Sequence, residues 1–352
     1  MFQIIPIAPM NREVTIYDIA RELDVAPSTV SRALTNSNLI SYFTKKKILD
    51  KANELGYRHN RFASNLRKQK SHTIGVLLHD LNSHFITAVL SGIEKVTTKE
   101  GYDIIIAHSA NHFEKELANT TNLFHKRVDG LIASLTDTNS NLDHFHIFFK
   151  KNIPVIFFDR ANENSDKTHV IIDNCRCGYL ATQHLIEQGC RHIAILTADL
   201  TQNVFFQRHR GYADALFDAG IEYNKNLVLS KDLTELSGIL AAHELLQMDP
   251  VPDGLFVTND FVAAACMYEL KRQGINIPED IAVVGFNNES ISKIVDPQLS
   301  TINYPGKDMG EIAARNLIDD LKKLSTIDAT NRITVKSELI VRGSSLRKDV
   351  RI

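Results

Sequence analysis

From about residue 73 to residue 285 the chain repeats one pattern. Short, continuous apolar runs alternate with longer amphipathic stretches. The runs fall at 73–79 (TIGVLLH), 102–107, 130–134, 154–158, 170–172, 192–197, 227–229, 254–257 and 281–285. Apolar residues three and four apart predict helices near 85–100, 113–125, 142–151, 178–188, 206–219, 233–248 and 261–273. A strand that is apolar throughout must be covered on both faces, which in this order means parallel sheet flanked by helices. Nine such strands are too many for one compact sheet of this kind, so two α/β lobes are expected. The pattern alone also fits a nucleotide- or sugar-binding enzyme.

A different grammar precedes it. In 14–34, VTIYDIARELDVAPSTVSRAL, Ile16, Ile19, Ala20 and Leu23 make the apolar stripe of a short helix over 16–22. Thr15 is placed to cap it, and Asp18 lies in its first turn near the positive end of the dipole. Residues 23–26 turn, and Pro27 suits the first position of a second helix, where its missing N–H is no loss. Val30, Ala33 and Leu34 face inward; Ser28, Thr29, Ser31 and Arg32 face out. A third helix starts at Ser41 or Tyr42, with Ser41 the better cap. Ile48, Leu49, Ala52 and Leu55 form its buried side, and Gly56 ends it. Two short helices around a tight turn can place polar side chains in a DNA major groove.

Charge supports that division. Residues 1–70 carry 12 Lys/Arg against 6 Asp/Glu, and residues 71–352 carry 28 against 36. A basic head on an acidic body fits a polyanion-binding module joined to a regulatory one. Lys45, Lys46 and Lys47 sit near the start of the third helix, where the dipole disfavours cations; a nearby phosphate backbone would offset this. Residues 1–13 have no clear period and are expected to be a flexible extension. No apolar run approaches the roughly 18 residues of a membrane span, and the apolar start lacks a basic leader, so a cytoplasmic protein is expected. The cysteines, Cys175, Cys177, Cys190 and Cys266, have no C-x2-C spacing. They are expected to be reduced thiols, with neither metal nor cofactor. No G-x-S-x-G elbow, P-loop or H-E-x-x-H appears, so an enzyme is not expected.

The segment 14–34, the Gly56-Tyr57 ending and the following ASNLRKQKSHTIGVLL resemble the lactose-repressor/galactose-repressor family of bacterial transcription regulators. The resemblance runs in order from about Val14 to Leu346. It implies an N-terminal all-α helix-turn-helix head (14–59), a hinge helix or linker (60–70) and a two-lobed body like a periplasmic binding protein (71–345). By that likeness the first lobe takes about 71–170 plus 301–331, and the second about 171–300 plus 332–345. Pro27, Ser28 and Arg32 match base-facing positions. Arg32 can reach guanine O6/N7, whereas Pro27 offers only apolar contact or shape. Thr15, Tyr17, Thr29, Ser31 and Asn36 match positions that brace the head on phosphates. Leu66 matches a leucine that wedges into the minor groove beside its partner's, and Ala63 matches the alanine three residues earlier.

For the body, the resemblance implies an effector in the cleft at the strand ends. Phe85 matches an aromatic wall, Asp80 follows the first strand, and Asp159-Arg160 match a frequent cleft pair. Arg208 matches a ligand-clamping arginine, and Asn259 a ligand contact, with Asp260 the expected cap of the next helix. Asp173-Asn174 match a pair that braces the hinge. Asn287 departs from the family's usual aspartate; an uncharged amide would repel an anionic sugar less. His79 replaces a common proline and is either packed or a cleft donor. The implied protein is a homodimeric repressor of double-stranded operator DNA, controlled by a carbohydrate-like effector. Two alternatives remain at this point: a global catabolite regulator controlled by a phosphorylated carrier protein, and a sugar receptor without DNA activity.

Overall fold

The computed structural model describes residues 13–35, 37–57, 70–81, 83–136, 141–162, 165–323 and 332–347. All of the expected N-terminal extension except Glu13, together with Asn36, Ala63 and Leu66, lies outside them. The chain divides into two compact units, Met1–Lys70 and Ser71–Ile352.

The first unit holds three helices: α1 (Ile16–Leu23), α2 (Pro27–Leu34) and α3 (Tyr42–Glu54). Thr15 opens α1, its N–H and its hydroxyl both donating to the Asp18 carboxylate at 2.9 and 2.7 Å. Asp24 leaves the helix in the left-handed region, φ 50°, and Pro27 is the first residue of α2. Ser41 caps α3 by accepting the Thr44 N–H, which settles the choice between Ser41 and Tyr42. Ile19, Ala20, Val30, Ala33, Ile48 and Ala52 form the core. Leu49 was expected there and is instead 41% exposed. It lies one residue, about 100° of helix, from the stripe set by Ile48 and Ala52.

The second unit contains two six-stranded sheets. The first lobe holds β1 (Thr73–Leu78), α4 (His84–Lys99), β2 (Asp103–His108), α5 (Phe113–His125), β3 (Gly130–Ala133), α6 (His146–Lys150), β4 (Val155–Phe158) and β5 (Thr168–Ile171). The second follows with α7 (Asn174–Glu187), β6 (Ile193–Thr197), α8 (Asn203–Asp218), β7 (Val228–Ser230), α9 (Glu235–Leu246), β8 (Gly254–Val257), α10 (Asp260–Arg272), β9 (Ala282–Asn287), α11 (Ile291–Ile294) and β10 (Ser300–Asn303). The chain then runs through α12 (Gly306–Leu321), β11 (Arg332–Thr334) and β12 (Leu339–Ile340). The expected helix at 142–151 is a 3-10 turn, Asp143–Phe145, running into the short α6.

Strand order is β11-β5-β4-β3-β1-β2 in one sheet and β12-β10-β9-β8-β6-β7 in the other. All pairs are parallel except β10 with β12. The expected lobe boundaries therefore shift at both ends. β10 stays with the second sheet, so the return to the first lobe begins with α12. β11 joins the first sheet beside β5, and only β12 joins the second. The returning segment 332–345, expected to join the second lobe as a whole, is split by the polar run Lys336-Ser337-Glu338, and the strands on either side pair with different open sheet edges. Three crossovers result, after β5, β10 and β11.

α7 and α8 meet at backbone contact. A Cβ on Gly178 would lie 2.1 Å from the Arg208 carbonyl oxygen, and one on Gly211 would lie 1.9 Å from that of Cys175. No side chain larger than hydrogen fits either point. This crossing fixes where Arg208 emerges.

Candidate effector cleft and DNA-reading surface

Both sheets change winding direction within their order, at β1/β3 and at β6/β8. Such switch points leave a crevice at the carboxyl ends of the strands. A cleft of about 720 Å³ opens there. Asp80, Phe85, Asp159, Arg160, Arg208, Asn259 and Asn287, the seven positions singled out by sequence, all line it. The size suits a small polar molecule.

Arg208 is held on every side. Its Nε donates to Asn174 Oδ1 at 2.9 Å, and one terminal nitrogen donates to the Thr258 carbonyl at 3.2 Å. The guanidinium carbon lies 3.6 Å from the centroid of the Phe286 ring, a close cation–π contact. Burial pulls its pKa down, while Tyr304 and Asp159 oppose the shift. Asp173 caps α7 by accepting the Arg176 N–H, so the Asp173-Asn174 pair braces both that helix and the arginine.

Asp159 ends β4 in a left-handed conformation, φ 57°. It is 5% exposed and accepts the Tyr304 hydroxyl at 2.5 Å. Burial raises its pKa, and Arg160, Tyr304 and Arg208 partly offset this. His79 lies 3.9 Å from the other carboxylate oxygen and shares a 2.8 Å hydrogen bond with the Ser134 hydroxyl. Burial first, then Arg160 and His108, hold its pKa well below the ordinary imidazole range. It is thus a neutral, packed histidine that also borders the cleft. Arg160 donates to Asn111 at 2.7 Å.

Three expectations change. Phe85 stacks on Tyr304, with centroids 4.0 Å apart and planes at 20°, so protein already covers one face of the expected aromatic wall. Asn259, not Asp260, caps α10 by accepting the Val262 N–H at 3.0 Å. Asp260 lies fully buried behind it, accepting the Glu289 N–H and the Thr301 hydroxyl. Asn287 donates to the Glu289 carboxylate at 2.9 Å. Tyr304, Glu289, Phe205 and Gln202, none of them expected from the sequence, also line the cleft. Tyr304 carried no usable signal, since the strand before it, Ser300–Asn303, reads STIN and is mostly polar.

In the head, Ser28 and Arg32 are exposed on α2, and Thr29, Ser31 and Pro27 are half-buried. Tyr17 is 63% exposed. Thr15 is a weaker phosphate donor than expected, because its hydroxyl proton is directed to Asp18. The exposed pair lies one helical turn apart, the spacing at which two side chains enter one groove together.

Residues 15–60 match the pattern described as "Bacterial regulatory proteins, lacI family", and residues 182–345 match "Periplasmic binding protein-like domain". Catabolite control protein A of Priestia megaterium is 32% identical over 318 residues, 90% of this chain and 95% of the relative. The chain belongs to the lacI family. It is therefore a sequence-specific DNA-binding transcription regulator of the cytoplasm rather than an enzyme. Another lacI-family relative, the HTH-type transcriptional repressor PurR of Aliivibrio fischeri (strain ATCC 700601 / ES114), is 32% identical, covering 94% of this chain and 98% of that one. Among solved structures, the transcriptional regulator CelR–cellobiose complex aligns with TM-score 0.70 and 27% identity over 95% of this chain and 100% of the other. A lac repressor dimer bound to operator and an anti-inducer aligns with TM-score 0.84 over 96% and 100%, at 24% identity, a likeness of fold. Among the described residues no helix is long and apolar enough to cross a membrane.

Proposed function

We propose that this lacI-family chain is a homodimeric repressor whose affinity for a near-palindromic operator is set by a small carbohydrate-like effector in the interlobe cleft. The observation that carries this reading is the position of Arg208. It rises from the second lobe and lies within electrostatic reach of Asp159, at the end of a first-lobe strand. A ligand meeting both groups interacts differently with different lobe angles, which is the requirement for coupling its binding to DNA affinity. Aromatic Phe85, Phe205 and Phe261 beside many hydrogen-bonding groups match the amphipathic faces of a sugar ring. Similar solved structures that hold cellobiose and ribose support the same class.

On the DNA side, α2 enters the major groove with Arg32 as the principal base reader, Ser28 assisting and Pro27 shaping the contact. Thr29, Ser31, Tyr17 and Asn36 brace it on phosphates, with Thr15 contributing less. Ala63 and Leu66 act at the minor groove. Arg32→Ala is expected to weaken specific operator binding by about 1–3 kcal/mol, read by mobility shift. Calorimetry with a panel of sugars identifies the effector, and Arg208→Ala abolishes the binding. Retained sugar affinity in that variant would move the site elsewhere, and unchanged operator preference in Arg32→Ala would reject the α2 assignment.

A further inference from the structure

Glu289 lines the cleft although it is only 8% exposed. Its backbone is fixed at both ends: the N–H donates to Asp260 at 2.8 Å and the carbonyl accepts the Ser292 hydroxyl at 2.6 Å. One carboxylate oxygen accepts the Asn287 amide. Replacing a carboxylate by an amide at position 287 thus leaves the local charge negative, because the amide presents a carboxylate two residues on. We propose that Glu289 is a specificity-determining residue that accepts hydroxyl or ammonium hydrogens from the effector and excludes effectors of net negative charge. The proposal rests on the cleft being the effector site.

The other charges in the cleft point the same way. Six carboxylates line it, from Asp80, Asp159, Asp199, Asp232, Glu235 and Glu289, against three cations, Arg160, Arg208 and Lys231. Asp159, Asp199, Asp232 and Glu289 accept from Tyr304, Thr201, Thr234 and Asn287, and Asp80 lies in the field of Arg160; hydrogen bonds from these neutral donors do not cancel the carboxylate charges. The cations are occupied by the protein. Arg208 serves Asn174, Thr258 and the Phe286 face. Arg160 donates to Asn111 and lies in the field of Asp159 and Asp80. Lys231 pairs with Glu244 at 2.6 Å. Burial raises the Glu289 pKa, and the Asn287 amide and His84 oppose the shift in favour of the carboxylate. A carboxylate offers acceptors and no donor, so a neutral polyol or an amino sugar satisfies it, whereas a uronate or sugar phosphate meets like charge in a confined space.

Calorimetry on the full-length protein tests this with glucose, galactose and mannose, together with their 2-amino, uronate and 6-phosphate forms. The tightest ligand is expected to be neutral or amino, with its anionic counterpart weaker by about tenfold or more, the effect of one like charge a few ångströms away. Glu289→Gln keeps the shape and should shrink that gap by a similar factor. Asp232→Asn, at an exposed position, provides a second removal of charge, and retained operator binding reports an intact fold. A uronate or phosphate that binds as tightly as its neutral parent overturns the proposal, as does an unchanged gap in Glu289→Gln or a panel with no neutral or amino binder. If an anion binds and Arg208→Ala abolishes the binding, the cleft reading stands and only the charge rule fails. Binding indifferent to Arg208→Ala rejects the cleft reading itself.

Discussion

Tyr304 donates its hydroxyl to Asp159, joining the crossover after β10 in the second sheet to the end of β4 in the first. The same ring stacks on Phe85 and stands edge-on to Phe286. A single side chain thereby closes the inner end of the cleft and bridges both lobes. Tyr304→Phe keeps the ring contacts and removes only the hydroxyl, leaving a buried carboxylate short of a partner. A loss of about 1–3 kcal/mol is expected, measured by denaturant unfolding. Unchanged stability would mean that the hydroxyl bond adds nothing to the lobe contact.

That residue also marks the limit of what the chain discloses as a string. Between 73 and 285 strand and helix identities were legible because continuous apolar runs and 3.6-residue stripes follow directly from two-sided and one-sided burial; β10, α11 and α12 beyond that stretch were not expected. The cleft positions were legible through the resemblance to the lactose-repressor/galactose-repressor family, and all seven residues it implied line the cleft. Partner choice was not legible. Nothing local distinguishes an Asn259 that caps a helix from one that reaches a ligand, since both roles use the same side-chain oxygen. The β11/β12 split depends on which sheet edge is open, a property of the assembled sheets. Tyr304 is committed by Asp159, 145 positions away.

Asp260 makes stability depend on pH. Burial, with some help from Glu289, pushes its pKa up to about 7, against hydrogen bonds from Thr301 and the Glu289 N–H. Its carboxyl therefore holds a proton in the native state that the unfolded chain has released above about pH 4. The native state binds more protons across that window, so this contribution is present at low pH and is lost as pH rises through 7. His79, kept neutral by burial, acts in the opposite sense but is common to wild type and variant. Melting temperatures at pH 5 and pH 8 should show wild type losing stability relative to Asp260→Asn as pH rises. Parallel behaviour of the two proteins would refute the assignment.

Gly211→Ala should separate packing from backbone strain. Its new Cβ would fall 1.9 Å from the Cys175 oxygen and 2.6 Å from the Tyr179 nitrogen, so α7 and α8 must part. A cost of about 1–3 kcal/mol or more is expected, together with weaker effector binding, because Arg208 moves with α8. Gly220→Ala, at φ 68° with open space around it, should cost about 1 kcal/mol and leave effector affinity unchanged. Equal effects of the two variants on ligand affinity would argue against α8 as the element that positions Arg208.

The first turn of α8 also fastens the lobes to each other. Gln202, the residue before the helix, donates to the Thr136 carbonyl at 2.7 Å, and Asn203 donates to that of Ala161 at 3.1 Å. Arg160 lies 5.8 Å from the Phe205 ring centroid. Thr136 and Ala161 belong to the first lobe, whereas α8 belongs to the second and carries Arg208 one and a half turns further on. On the proposed function, a ligand engaging Arg208 and lobe closure are therefore mechanically one event. Each hydrogen bond is worth about 0.5–1.5 kcal/mol net, so removing both should shift the closed-to-open ratio by roughly tenfold or more. The double variant Gln202→Ala/Asn203→Ala is expected to scatter X-rays as a more expanded body and to need more effector for the same change in operator affinity. If the radius of gyration and the effector midpoint both stay at wild-type values, the fastening has no part in the switch, and coupling must run through the three crossovers and the contacts around Tyr304 instead.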